Sequence, residues 1–462
     1  MYIKITKELL ADIRRSIVEG RDTALIQLTQ DLHPADLAEI INELREEEAV
    51  YLYRSIDEER GAEVMLELDE DVRNQLLSKL TSREIAEDLI ENIDSDDAAD
   101  VIAELPEEKQ EEVIALLEDV ETASDIIDLM TYAEGTAGAL MAKEMIKVNA
   151  SWSVAMAIRE MRKQSEDIDN IYTIYVVNDD NHIMGTLSMK TLIFASASLR
   201  STIKELYQDN KVHSVNTATP AEEVVNVMKK YDLVVVPVVN ENKQLVGRIT
   251  IDDVVDVMQE EADKDYQLAS GISEDVESGD SIWTLTRARL PWLLIGMGGG
   301  MSSAYIIGLY DITENPQMAI FMPLIAATGG NVGVQSAALV VKALANQSVL
   351  DETVWRKLLK ELGVGSFNGL ICSLLIFFTT QLFHFDLSMS ITASLALFSV
   401  IVFASISGTY IPLTLNRFGI DPALATGPFI TTTNDIIGLI IYFGVGKMLH
   451  TYLLTMPFNI FH

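Results

Sequence analysis

The chain has 462 residues, with 34 Lys and Arg against 70 Asp and Glu, a formal charge of −36 and one cysteine. Such a balance excludes nucleic acid as a partner and favours cations, and the lone Cys372 excludes an intrachain disulfide. From Ser281 onward eight basic and eight acidic side chains cancel, so the 26 basic and 62 acidic ones in residues 1–280 carry the whole imbalance.

The opening stretch MYIKITKELLADIRR lacks the apolar core of a cleaved signal peptide, so the N-terminus is expected to stay in the cytoplasm. Residues 1–130 read as an acidic, all-α superhelical domain. DLAEIINEL (36–44), AEVMLEL (62–68) and AADVIAEL (98–105) place apolar residues three and four apart. The first and third belong to a repeat, HPADLAEIINELREE against DSDDAADVIAELPEE, and related helix pairs of this kind stack into a superhelix. Pro106 fits the first turn of a following helix.

A second repeat follows. VNASWSVAMAIREMRK (148–163) matches VNTATPAEEVVNVMKK (215–230), and YVVNDDNHIMGTLSM (175–189) matches PVVNENKQLVGRITI (237–251). Each copy predicts an amphipathic helix, a β-rich run, a polar turn and a strand ending in Gly-x-[Leu/Ile]-[Ser/Thr]. This order, twice over, resembles an α/β tandem pair of CBS modules, placed at 140–195 and 196–252. In GRITIDD (247–253) an Asp lies two residues after the Thr, as in CBS copies that bind an adenosine ribose. Thr250 and Asp252 are therefore a candidate nucleotide site for ATP, while the first copy has Lys190 in that place. Residues 253–281 predict an acidic connecting helix, with Val254, Val255, Val257 and Met258 set between acids.

Five nearly uncharged stretches then follow, at 290–310, 315–341, 362–383, 387–416 and 422–446. Each has the roughly 20 residues a helix needs to cross a bilayer, so residues 282–462 predict a five-helix transmembrane domain. Arg287 and Arg289 precede the first span, Lys342, Arg356, Lys357 and Lys360 follow the second, and Arg417 follows the fourth. The positive-inside rule puts the N-terminus in the cytoplasm and the C-terminus outside. The six histidines are scattered, and no nucleophile–base arrangement is legible, so the chain is not expected to be an enzyme. GMGGG (296–300) lies within the first span without a strand or a following Lys, and reads as helix packing.

Two spans stand out for glycine next to polar side chains. The second contains Gly329, Gly330 and Gly333 with Asn331 among them. The fifth begins DPALATGPFITTTND, in which Gly427, Thr431 and Asp435 are spaced by four and share one helical face. Thr431, Thr432, Thr433, Asn434 and Asp435 supply a dense run of oxygens. A carboxylate at membrane depth costs at least about 2.5–3.5 kcal/mol, so Asp435 needs a purpose. An interhelical salt bridge to Lys342 is one. A polar cation path is the other, and hard oxygens with few carboxylates suit Mg2+, which keeps its waters. A twofold axis would bring two Asp435 side chains to one pore. In the acidic half, Asp96, Asp97 and Asp100, then Glu222 and Asp232, then Asp253, Asp256 and Glu261 are candidates for regulatory metal binding. There a divalent ion would relieve like-charge repulsion; the bland alternative is that these faces are merely solvated.

Taken together, the acidic helical region with DSDDAADVIAELP, the CBS pair, the acidic connecting helix and five spans with TGGNVGVQSAAL and GPFITTTNDIIGLIIYF resemble the MgtE magnesium transporters over nearly the whole chain. The resemblance implies a homodimeric, multi-pass channel of the cytoplasmic (inner) membrane, among membrane lipids, closed by cytoplasmic Mg2+. It implies that Asp435 holds a largely hydrated ion in the pore, with Gly427, Thr431, Gly330 and Asn331 as neighbours and Asn434 beside it. The alternatives are a coupled transporter of another divalent metal (Co2+ or Mn2+), or a membrane-anchored adenine-nucleotide sensor.

Overall fold

Helix α1 (Lys7–Val18) opens a run of ten α-helices that ends with α10 (Val120–Leu129). The computed structural model describes residues 5–165, 168, 170–195, 201–207, 212–273, 276, 280–310, 316–345, 354–425 and 427–455. The chain divides into two units, residues 1–259 and 260–462.

The helical repeat read from the sequence takes physical form in α3 (Pro34–Asn42) and α8 (Ser95–Ala103). Matched positions bury the same face: Leu37, Ala38, Ile40 and Ile41 in one, and Ala98, Ala99, Val101 and Ile102 in the other. Their N-caps are His33 and Asp94, also at matched positions. Between them the backbone departs from α-geometry: α7 (Ser82–Glu84) runs into a π-turn, Ile85–Leu89, and a 3-10 turn, Ile90–Asn92. Apolar burial holds this irregular segment, since Ile85, Ala86, Leu89 and Ile90 all lie in the core. Pro106 is the N-cap of α9 (Glu107–Leu116) rather than a first-turn residue.

The second repeat gives two three-stranded sheets of identical plan. In the first, β1 (Lys147–Asn149) runs parallel to β2 (Ile174–Val177), which pairs antiparallel with β3 (Ile183–Leu187). In the second, β4 (Val215–Asn216), β5 (Val235–Val239) and β6 (Leu245–Thr250) repeat the arrangement. Even the register shift near the end of the central strand recurs, at Val176/Val177 and at Val238/Val239. Helices α11 (Val154–Gln164) and α13 (Ala221–Tyr231) occupy the parallel crossovers.

The N-terminal helices and the second module share one core: Leu37, Ile41 and Ile102 belong to the same cluster as Val236, Val238, Ile249 and Val254. The first module keeps a core of its own, around Val148, Val154 and Val176. Residues just before the first module explain this asymmetry. Gly138 N–H donates to the Thr217 carbonyl, and Ala142 and Arg248 exchange backbone hydrogen bonds at 2.8 and 2.9 Å, so the segment is stitched to β6.

The connecting helix α14 (Ile251–Ala269) ends earlier than its acidic composition predicts. Gly271 adopts φ +79°, a left-handed conformation that suits glycine beyond a helix end. Ser273 then bonds back to the Ala288 carbonyl by its N–H and its hydroxyl.

Among the described residues of the second unit, five helices are long and apolar enough to cross a membrane: α15 (Ile282–Leu309), α16 (Met318–Ala345), α17 (Val354–Leu382), α18 (Leu387–Arg417) and α19 (Pro428–Thr455). Helix α18 is the most buried and touches α16, α17 and α19, while α15 packs on α19 and leaves most of its surface open. The fifth span starts later than expected. Pro422–Ala425 form a 3-10 turn, and the α-helix begins only at Pro428, whose fixed φ and missing N–H suit a first helical position.

Candidate functional site

At the start of α19, Gly427 sits at φ +56° and a Cβ there would collide with the Ala269 carbonyl at the end of α14. A Cβ on Gly271 would meet Pro428 Cγ at 2.7 Å. The connecting segment and the first turn of the fifth span therefore touch backbone to backbone. The Gly427 carbonyl accepts both the Thr431 N–H at 3.1 Å and the Thr431 hydroxyl at 2.9 Å, so that hydroxyl turns back on its own helix.

One turn on stands Asp435, half-buried. Gly330 of α16 faces it: a Cβ at 330 would lie 3.0 Å from Thr431 Cγ2 and 3.4 Å from Asp435 Oδ1. Glycine here lets the two helices approach closely, with the Gly330 backbone against Thr431 and the Asp435 carboxylate. No charged group acts on Asp435 among the described residues, Lys342 included, so the salt-bridge alternative is not formed. Asn331, the next residue of α16, is exposed on the surface of the single chain rather than packed against protein.

Asn434 corrects an expectation. It does not join the face shared by Thr431 and Asp435: it is 1% exposed and points into the bundle. Its Oδ1 accepts a hydrogen bond from the Ser407 hydroxyl of α18 at 2.8 Å, and a Cβ on Gly333 of α16 would strike its amide. Thus Gly330, Thr431 and Asp435 come together, Gly427 is tied to them through Thr431, Asn331 adjoins them on the surface, and Asn434 lies behind them. Sequence reading also passed over Glu361 of α17, the other acidic side chain in the described spans, which accepts from the Ser336 hydroxyl at 3.1 Å.

A second cluster forms where α8 meets the second module. Carboxylate oxygens of Asp94, Asp96 and Glu144 lie within 4.8 Å of one another. Glu144 is held by Ser95, whose N–H and hydroxyl donate to it at 3.2 and 2.9 Å. Burial, then Asp97, Asp253, Asp94 and Glu144, push the Asp96 carboxyl well above the usual range. Burial, then Asp253, Asp94, Asp100 and Asp252, push Asp97 up to about 7. Asp253 is also raised by burial, although it accepts the Thr250 N–H and hydroxyl at 2.8 Å each. A positive charge enters from β6: Arg248, whose side chain is 7% exposed, pairs with Asp94 at 3.2 Å and donates to the Asn170 carbonyl at 3.2 Å.

Of the acids named from sequence, Asp96, Asp97 and Asp253 meet, with Asp100 and Asp252 in electrostatic reach. Asp256 is exposed one turn along α14, its carboxyl raised by burial and by Asp252. Glu222 and Asp232 lie at opposite ends of α13, where Asp232 is the left-handed C-cap at φ +51°. Glu261 pairs with Lys264 at 3.5 Å. Sequence reading missed Asp94, Glu144 and Arg248. Of the two candidate nucleotide residues, Thr250 donates its hydroxyl to Asp253, and Asp252 is exposed. The neighbouring cavity, lined by Tyr172, Tyr175, Val235 and Arg248, has a volume near 10 Å³, room for about one water.

Family models agree with this layout. One described as a divalent cation transporter matches residues 322–445, one described as the MgtE intracellular N domain matches 32–135, and the CBS domain matches 137–198 and 203–260. The magnesium transporter MgtE of Thermus thermophilus is 33% identical over 449 residues, 96% of this chain and 99% of its own length. The chain belongs to the MgtE family. The MgtE magnesium transporters of Enterococcus faecalis and Bacillus subtilis are each 32% identical, over 70% and 69% of this chain and 71% and 70% of their own. A solved structure of the cytosolic domain of the Mg2+ channel MgtE in complex with ATP covers 54% of this chain and 99% of its own, at 32% identity and a TM-score of 0.49. As an MgtE chain with five helices long enough to cross a membrane, this is a multi-pass membrane protein, and its relatives are named as transporters.

Proposed function

We propose that this MgtE chain is a magnesium channel for uptake across the cytoplasmic membrane, closed by Mg2+ on its cytoplasmic side. The observation that carries permeation is Asp435: a carboxylate in an apolar helix, set against the Gly330 backbone, with no basic partner among the described residues. Such a group is retained at membrane depth for an ion. One carboxylate with neutral oxygens around it suits a cation that keeps its water shell. Two chains about a twofold axis, joined on the surface that presents Asn331, would place two such carboxylates along one path and strengthen its field. The expected orientation puts residues 1–281 in the cytoplasm.

Closure is supported by the acidic cluster. Two ionised carboxylates 4.8 Å apart repel by about 3.5 kcal/mol at an effective dielectric of about 20. A divalent ion among Asp94, Asp96, Asp97, Asp253 and Glu144 converts that repulsion into attraction, and so favours docking of the helical domain on the second module. Hard carboxylate oxygens are the donor set that Mg2+ takes. Helix α14, which carries Asp253, Asp256 and Glu261, ends against Gly427 and Pro428, and is the proposed route from the cluster to the first turn of the pore helix. Single-channel recording in bilayers tests this: millimolar Mg2+ on the side bearing residues 1–281 should lower the open probability, and an unchanged current would reject the feedback. Flux that needs a proton or sodium gradient, or that prefers Mn2+ or Co2+, would favour the coupled carrier. ATP binding at Thr250 and Asp252 is measured by calorimetry with ATP on the full chain.

A further inference from the structure

We propose that Asn434 is a positioning residue for the ion site: without touching the ion, it sets the rotation of α19 that brings Asp435 opposite Gly330. This rests on the permeation reading above and assigns the next residue a distinct task.

An amide withdrawn from water destabilises the fold unless it is bonded. A leucine would fill the same three-helix contact without that penalty. Yet Asn434 is 1% exposed, and only part of its bonding capacity is met. Its Oδ1 takes the Ser407 hydroxyl at 2.8 Å, while its Nδ2 is buried with no acceptor among the described residues and presses on Gly333. Packing alone does not account for such a group. A buried polar contact with one geometric solution does something apolar packing cannot, which is to select a single rotation and register.

The surroundings enforce that solution from two sides. Gly333 is a cradle, because a Cβ there would strike the Asn434 amide and lie 2.8 Å from Ile430 Cγ2, one turn earlier on α19. Gly408, beside Ser407, has no side chain, which lets the Gly333 carbonyl come close and Ser336 Cβ approach to 3.0 Å of where a Cβ would stand. Helices α16, α18 and α19 thus meet in one layer around this amide. Adjacent helical residues are about 100° apart, so fixing Asn434 fixes Asp435. A rotation of about 20° would carry a side-chain tip about 6 Å from the helix axis through about 2 Å. That displacement is enough to spoil hydrogen bonds to the water shell of an ion.

Reconstituted full-length protein in liposomes provides the test, with Mg2+ uptake followed as a function of Mg2+ concentration. Removing one hydroxyl in Ser407→Ala should raise the half-saturating concentration about fivefold, the equivalent of ~1 kcal/mol for one hydrogen bond. Ser407→Thr, which keeps the hydroxyl, should behave as wild type. Asn434→Ala should raise it further, and the double variant should be no worse than Asn434→Ala. In an Asp435→Asn background, adding Ser407→Ala should change nothing more. An unchanged half-saturating concentration in Ser407→Ala, or a loss confined to maximal rate and tracking the amount of folded protein on gel filtration, overturns the proposal. Wild-type uptake by Asp435→Asn alone would instead remove the permeation reading, and the proposal with it.

Discussion

Replacing Arg248 with methionine keeps the side chain's bulk and removes the positive charge that β6 brings to the acidic cluster. The guanidinium is nearly fully buried and its partner Asp94 is 43% exposed, so the pair lies between the surface and buried limits. Breaking a fully buried pair costs about 3–5 kcal/mol, and a charged hydrogen bond contributes about 1.5–3 kcal/mol. Discounted for the solvent at Asp94, about 2 kcal/mol is the expected loss of docking between the helical domain and the second module. That is about 30-fold in the docked-to-separated ratio. Magnesium must restore it by mass action, so the midpoint of Mg2+-dependent closure should rise about 30-fold for one linked ion, or about fivefold for two acting together. Trypsin protection of residues 1–259 in the full-length, detergent-solubilised protein, titrated with Mg2+, gives the midpoint. Asp94→Asn, which removes a proposed ion ligand as well as the pair, should raise the midpoint at least as far, and adding Arg248→Met to it should add little more. A midpoint for Arg248→Met within about twofold of wild type, or below it, would show that the cluster does not govern docking.

In metal-free protein the same docking should weaken as pH rises. Asp97 goes from its ordinary 3.8 to about 7, so the docked form holds the extra proton. Its stabilisation is full below about 4 and is lost as pH climbs through about 7. Trypsin protection in EDTA between about pH 5 and pH 8 should therefore fall, and a flat profile would contradict it. Gly271→Ala forces a left-handed φ on a residue with a Cβ, a strain of about 1–2 kcal/mol, and presses on Pro428. It should leave Mg2+-induced protection of residues 1–259 unchanged while reducing the closure of current by Mg2+; intact closure would sever the link through α14. Gly299→Val, whose Cβ would run into Thr432, should loosen α15 from α19 and lower the temperature at which the solubilised protein loses its gel-filtration peak; an unchanged temperature would refute that contact.

Much of the architecture is legible in the chain because local rules agree with the tertiary structure. The match between Leu37–Ile41 and Ala98–Ile102 is a periodicity signal that packing then uses without revision. The two strand–turn–strand runs keep the same register shift, because both copies carry the same polar turn between the same apolar strands. Boundaries fared less well. The acidic run through Asp280 looks helical by composition, but Gly271 ends the helix, and one glycine outweighs a favourable background. The fifth span read as starting at Pro422 because apolar composition does not distinguish a 3-10 turn from an α-helix.

The ion site is half legible. Spacing by four places Thr431 and Asp435 on one face, and that face is the one Gly330 meets. No spacing rule says which neighbouring helix lies over Asn434, so its inward turn toward Ser407 had no signal. The acidic cluster shows the same limit more sharply. Asp96, Asp97 and Asp253 stand out as acids in acidic runs. Arg248 and Asp94 are 154 residues apart, and only the packing of β6 on α8 joins them.

The most direct measurement is Mg2+ uptake by Asp435→Ala in liposomes, beside wild-type protein reconstituted at the same density. Permeation past this carboxylate predicts that the variant loses selective Mg2+ flux while keeping its fold and its Mg2+-dependent protection from trypsin. Uptake at the wild-type rate and selectivity would mean that the ion takes another route, and Asp435 would no longer be the pore site.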